Sequence, residues 1–342
     1  MAPSTDWQEK VEPDEAARFE RYAEELHVLQ RRRARGGPVA RALHAKAQHG
    51  LLASFTVLPD LPEYARVALF AEAATYPAYV RFSNGSGAVQ SDRAPDARGV
   101  AIKLVGVAGK KVIRGMENAQ TQDFLLIRTP TTPFRNADEF VEVLLASLSP
   151  AKGLFRIAAK YGVGRTLSIL RAARKDLRKP MTSLATTHYF SAAPIKFGPY
   201  AVHYSLVPHA QPEPKASAGR SPDYLREEMS VRLRQGPLFY DFRVQFFVDE
   251  KSTPIEDMSV EWKEADAPFV TLGRLNIAKQ DPDSPRGQKI AEYVEGLSFD
   301  PWHAVEELRP LGNMMRARNV AYRLSTQERG ASPEPSRPAH FD

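Results

Sequence analysis

The sequence predicts an α+β fold built on an antiparallel β-sheet or barrel with one packed face and helices outside it. Two observations carry this reading. In "YDFRVQFF" Asp241, Arg243 and Gln245 point one way and Phe242, Val244 and Phe246 the other, the two-residue period of a strand that buries one face. Strand-like and helical stretches are also interspersed without the regular spacing that parallel strand–helix–strand units require.

The elements follow in chain order. "DEAARFERYAEELHVLQRRR" predicts a helix over 14–33, within an N-terminal helical segment set at 1–35. Extended runs follow at "ASFTVLP", "PAYVRFSN", "RGVAIKLV" and "DFLLIR", then at "YAVHYSLV", "YDFRVQFFVD" and "FVTLGRLNIA"; β-branched and aromatic residues dominate them. Helical periodicity marks "ADEFVEVLLASL", "YLREEMSVRLRQ", "GQKIAEYVEGL" and a last helix over roughly Val305 to Glu328. The principal domain is set at 36–330, with a basic helical insertion at 150–182. The tail, 331–342, lies in the Pro/Ser-rich "GASPEPSRPAHFD" and predicts disorder.

Composition bounds the function. The chain has 342 residues, 43% hydrophobic and 26% charged, enough for a sizeable core in a soluble protein. It contains no cysteine, which excludes disulfides, a thiolate nucleophile and cysteine-ligated metals. No apolar run is long enough to span a membrane, and the polar, acidic N-terminus does not read as a secretory signal. A cytoplasmic location is expected.

The net charge of +6 is local. Between Ala151 and Pro180 stand nine basic residues against Asp176 alone, so the rest of the chain is slightly acidic. Leu154, Ile157, Ala158 and Tyr161, then Leu167, Leu170 and Leu177, recur at helical spacing, interrupted by Gly162 and Gly164. A basic amphipathic helix pair fits a membrane surface or a nucleic acid; a solvated hairpin capping the core is the plainer reading.

Most chemical motifs are absent. "GVAGKK" lacks the spacing and hydroxyl of a phosphate-binding loop, "NGSG" is not a nucleophile elbow, and no metalloprotease or dinucleotide pattern occurs. His44 and His49, five apart, do not align on a helix face. Alone, His44 reads as a surface or satisfied core histidine. The last helix changes that. Arg318 lies four residues before Tyr322 and Arg329 seven after it, so all three share one face. That face is either a stacked surface pair with a neighbour or a tyrosinate site, because a nearby cation favours the phenolate.

"RALHAK", "YVRFSNGSG", "DARGVAIKL" and "RNVAY" resemble, in the same order, successive signatures of the haem catalase family. "TPFRNADEF" and "VTLGRLNIAKQDP" resemble further family segments more weakly. The resemblance runs from Arg41 to Arg329. It implies an antiparallel β-barrel of the catalase type, with haem b between barrel and C-terminal helix. His44 is implied as the distal acid/base, with Ser83 hydrogen-bonding it and fixing its tautomer. Tyr322 is implied as the ligand of the haem iron, held as phenolate by Arg318, while Arg41, Arg81 and Arg329 meet the haem propionates. The implied enzyme is a catalase-related peroxidase that cleaves hydrogen peroxide or organic hydroperoxides through a ferryl intermediate. Its partners are the peroxide and a small reducing donor.

Three departures modify this. Where large catalases carry a distal asparagine, "LIRTPTTPF" sets Arg128 or Thr129, with Thr131 and Thr132 replacing apolar neighbours; a gapped register brings Asn118 or Gln120 instead. The chain lacks the family's further C-terminal parts, and the NADPH-contacting positions are not recognisable. The segment 151–180 is an addition that offers a membrane surface a contact. Two other functions stay open: rearrangement of a lipid hydroperoxide on the same haem core, as in allene oxide synthases, and a non-catalytic lipid-binding barrel. Nucleic acid is not an expected partner. The mostly helical N-terminus offers no long tetramer arm, which favours a homodimer.

Overall fold

The computed structural model describes residues 3–34, 39–146, 150–178, 181–212 and 221–342. Its strands are β1 (Ala47–Val57), β2 (Thr75–Asn84), β3 (Arg98–Val105), β4 (Thr121–Ile127), β5 (Tyr189–Phe190), β6 (Ile195–Phe197), β7 (Tyr200–Pro208), β8 (Leu238–Phe246) and β9 (Phe269–Ile277). Eight of them close into an antiparallel barrel in the order β5-β4-β3-β2-β1-β9-β8-β7, with β7 pairing back to β5 and β6 lying along β7. Closure leaves the ring without a free edge. Alternation along β8 sends Tyr240, Phe242 and Val244 inward. Inside the barrel the Phe242 ring meets Phe55 at 5.4 Å and Phe124 at 4.9 Å between centroids, an aromatic centre that buries much apolar area.

Outside lie α1 (Glu15–Ala34), α2 (Ala137–Ala146), α3 (Pro150–Tyr161), α4 (Val163–Arg178), α5 (Tyr224–Gln235), α6 (Pro285–Gly296) and α7 (Asn313–Arg329). α1 packs along α7, and α6 against β1. The last helix begins later than the expected Val305. Pro310 supplies no N–H, and Gly312 sits at φ 88°, where a Cβ would stand 2.6 Å from the Ile255 carbonyl oxygen, so no helix passes through them. Residues 35–38, 147–149 and 179–180, at the edges of the expected N-terminal segment, second helix and basic insertion, lie outside the described residues.

The tail corrects an expectation. Its Pro/Ser-rich composition argued for disorder, yet it lies along the barrel. Glu334 accepts from the fully buried Lys103 at 2.6 Å and from Thr121 Oγ1 at 2.5 Å. Phe341 packs edge-on against Tyr293 at 5.4 Å. A buried lysine needs anionic partners, and Asp123, at 2.7 Å from Lys103, shares that role with the tail carboxylate.

Candidate active site

His44 stands just before β1 with φ 56°, a left-handed conformation that histidine seldom adopts. Its surroundings hold it there. The His44 and Ala45 N–H groups donate to the Gly85 and Ser86 carbonyls, each at 3.0 Å. Below them Asp92, with a fully buried side chain, accepts from Lys46 at 2.8 Å, from Gln48 at 2.6 Å and from Asn84 at 2.9 Å. "HAK" and "SN" are thus clamped to one carboxylate.

The ring is fixed from two more sides. His44 Nδ1 is 2.9 Å from Ser83 Oγ. Gly99, opposite Ser83 in the β2–β3 register, gives the ring its room, since a Cβ there would lie 2.8 Å from His44 Cε1. Burial, then the charges of Arg81, Arg318 and Arg41, push the His44 pKa down to about 3. The imidazole is therefore neutral at ordinary pH. In the tautomer whose Nδ1–H donates to Ser83, Nε2 carries the lone pair.

α7 brings the second group. Arg318 donates to Tyr322 Oη at 2.7 Å, with its guanidinium carbon 4.9 Å from the tyrosine ring centroid. Burial opposes the Arg318 charge, but Tyr322, Tyr204 and Asp300 outweigh it and raise its pKa. Arg318 is thus held charged against the phenol oxygen.

The third group is a cluster of cations. Arg81 donates to both carboxylate oxygens of Glu295, at 2.7 and 3.3 Å, and to the His44 carbonyl at 2.9 Å. Arg41 donates to the same carboxylate and, with Arg329, to the carbonyls of Glu295 and Leu297. Two guanidiniums thus share the Glu295 carboxylate, and the third, that of Arg329, holds the backbone carbonyls beside it. Burial first, then the Arg81 charge, pulls the Arg41 pKa down to about 9 against the opposing pull of Glu295. Burial lowers that of Arg329 too. The cluster is short of anions.

All seven residues singled out in the sequence line one cavity of about 460 Å³, otherwise mostly apolar. Arg128, Thr129, Thr131 and Thr132 line it as well, and no asparagine does among the described residues. Asn118 and Gln120 border a separate depression beside Gly109, so the gapped register does not supply a cavity residue. Sequence reasoning missed Gly99, Glu295 and Asp92. Gly99 sits inside a quoted motif and was legible as a close approach; Glu295 carries no local signal.

The residues fit a haem. The arginine cluster sets three cations around one carboxylate, which suits propionates, the apolar wall suits a macrocycle, and Tyr322 Oη offers one oxygen donor. Among the described residues no group of three or more His, Cys, Asp or Glu is placed to hold a metal ion; a metal that brings its own macrocycle needs only one protein ligand.

A pH prediction follows from burial. His44 and His203 have folded pKa values of about 3, and His49 and His188 of about 4, with burial the largest cause in each. The unfolded chain binds these protons near pH 6.5, so stability falls as pH drops from 6.5 towards 4. The loss approaches roughly 1.4 kcal/mol per pH unit for each histidine. Thermal unfolding of the protein across that range is expected to show a steadily falling midpoint; a midpoint constant from pH 7 to 4.5 would contradict it.

No family model matches the chain. A catalase-related peroxidase of Mycolicibacterium paratuberculosis (strain ATCC BAA-968 / K-10) is 32% identical over 316 residues, covering 87% of this chain and 93% of that protein. A solved bacterial catalase superposes with a TM-score of 0.60 at 17% identity over 97% of this chain, and a fungal catalase with 0.67 at 18% over 88%. The chain spans 63% and 62% of those two proteins, under two thirds of each. These superpositions show a catalase fold. With a relative this similar over nearly its whole length, the chain belongs to the catalase-related peroxidase family and is an enzyme of that type.

Proposed function

We propose that the chain is a cytoplasmic haem b peroxidase that cleaves hydrogen peroxide and organic hydroperoxides with electrons from a small organic donor. The observation that carries it is one cavity shared by a neutral, immobilised histidine and an arginine-held tyrosine. When bound, haem supplies the redox-active iron at which peroxide is cleaved. The chain supplies the rest. Tyr322 Oη, hydrogen-bonded by Arg318, would be the protein ligand of the haem iron. Arg41, Arg81 and Arg329 would bind the propionates, where guanidinium forks match carboxylates. His44 Nε2 takes a proton from the peroxide oxygen it faces and returns it to the departing oxygen, so that water or an alcohol leaves. Ser83 holds the ring and its tautomer throughout, and the apolar wall excludes water.

The absence of an asparagine from the described lining decides the balance between activities. Arg128 or Thr129 stands in place of the amide, and a small peroxide is then poorly oriented. Loose positioning of this kind costs on the order of a hundredfold. The haem-loaded protein is therefore expected to oxidise an aromatic donor with an organic hydroperoxide, with feeble oxygen release from hydrogen peroxide alone. Both rates are measured on one sample. Vigorous oxygen release without donor oxidation would sink the proposal. Consumption of a fatty-acid hydroperoxide with no donor present would replace it with the isomerase.

A further inference from the structure

Of the ten large apolar side chains left exposed among the described residues, five lie on the α3–α4 hairpin: Leu154, Phe155, Val163, Leu167 and Leu170. Phe155 is 78% and Val163 67% exposed. Single exposed hydrophobics are ordinary, but a cluster of this kind marks an interaction surface.

The cluster is organised. At about 100° per residue, Val163, Leu167 and Leu170 form one stripe of α4, with Arg174 in line and Arg171 and Lys175 beside it. Ile169 and Thr166, on another side of the helix, are buried. On α3, Leu154, Phe155 and Ala159 share an arc bordered by Lys152. Three other basic residues fasten the hairpin to α2: Arg156 and Lys160 pair with Glu142 at 2.6 and 2.7 Å, and Arg165 with Glu139 at 2.5 Å. Lys152, Arg171, Arg174 and Lys175 are exposed and form no ion pair among the described residues. The hairpin thus has a fixed side held by carboxylates and a free side of apolar residues fringed by cations.

We propose that this free side docks on an anionic lipid bilayer and that the enzyme's substrates include hydroperoxides still resident in that bilayer. The chemistry of the face selects the occupant. An apolar stripe flanked by Lys and Arg is what an in-plane helix at a charged membrane surface requires, the stripe entering the acyl boundary and the cations meeting the headgroups. A second copy docking the same face across a two-fold axis would oppose like charges, and a phosphate backbone has no use for the apolar stripe. The hairpin also borders the active cavity, since Ala173 of α4 lines it. Docking therefore brings that wall to the lipid surface.

The substrate assignment rests on the peroxidase reading. The lipid O–O bond breaks to give the lipid alcohol and water, with two electrons from the organic donor and two protons from solvent.

Flotation of the full haem-loaded protein tests the docking. The vesicles are phosphatidylcholine alone, or phosphatidylcholine with about a third phosphatidylglycerol. The protein is expected to float with the anionic vesicles at least about tenfold better than with the neutral ones, and less at high salt, where screening weakens the cationic contribution. Phe155→Ser with Leu170→Ser, and separately Arg171→Glu with Arg174→Glu, should each lower flotation by about tenfold or more. Both pairs should lower turnover of a phospholipid hydroperoxide in those vesicles while leaving turnover of soluble tert-butyl hydroperoxide and the haem spectrum unchanged. No flotation of the parent overturns the docking, as does equal flotation of parent and variants. So does tighter retention by a DNA duplex than by the anionic vesicles, or a change of oligomeric state in the variants without parent flotation. Flotation is read on the protein itself, so a parent that floats but turns over no soluble hydroperoxide strikes the peroxidase reading and leaves the docking standing.

Discussion

His44→Ala, loaded with haem, is expected to oxidise an aromatic donor with an organic hydroperoxide about 10²- to 10⁴-fold more slowly than the parent. The magnitude is that of a positioned proton acceptor and donor, and the geometry leaves no substitute. Ser83, at 2.9 Å from Nδ1, is spent on holding the ring, and the arginines of the cavity are charged and cannot accept a proton. The haem spectrum should survive, because His44 lines the cavity from the barrel side while Tyr322, the proposed iron ligand, comes from α7. A smaller lesion should give a graded loss. In Gly99→Ala the new methyl would stand 2.8 Å from His44 Cε1, so the ring must move off its serine with composition otherwise intact. If His44→Ala loses less than about tenfold in rate at full haem occupancy, His44 is not the proton-transfer group.

Tyr322→Phe is expected to lose haem. The substitution removes the oxygen that Arg318 holds at 2.7 Å and leaves a buried guanidinium facing a bare ring. Losing a group that only orients a metal ligand costs about 10–100-fold in affinity; losing the ligand itself should exceed that. The apoprotein should fold normally, since Tyr322 lies on the cavity wall and is absent from the barrel's aromatic core. A titration of parent and variant with haem reads the difference. Equal affinity and an unchanged spectrum would remove Tyr322 from the axial position.

Arg329→Ala isolates the rim. It deletes one cation from a cluster already short of anions, so the apoprotein's thermal midpoint should hardly move while haem dissociates faster. A destabilised apoprotein with normal haem retention would instead make Arg329 a structural link between α7 and the end of α6.

The barrel was legible where alternation was regular. β8 announces its inward face through Tyr240, Phe242 and Val244, and the β2 and β3 runs through their apolar content. The site was legible because its groups lie in short motifs whose members the fold uses together. Arg318 and Tyr322 share a helix face, and Ser83 shares one with Arg81 along β2. Other features left no local trace. Glu295 completes the arginine cluster from α6, more than two hundred residues after Arg81, and no spacing argument joins them. The tail read as disordered because composition cannot show that Lys103, buried in β3, requires a second carboxylate. Proline and glycine at 310 and 312 were the available warning that the last helix begins late.

Haem binding through Tyr322 in the cavity between barrel and α7 is read by absorbance titration of the purified chain with ferric haem. A saturable rise of a sharp Soret band with a break at one haem per chain is expected, and no such break for Tyr322→Phe. A featureless linear rise for the parent, matching haem in buffer, would contradict it.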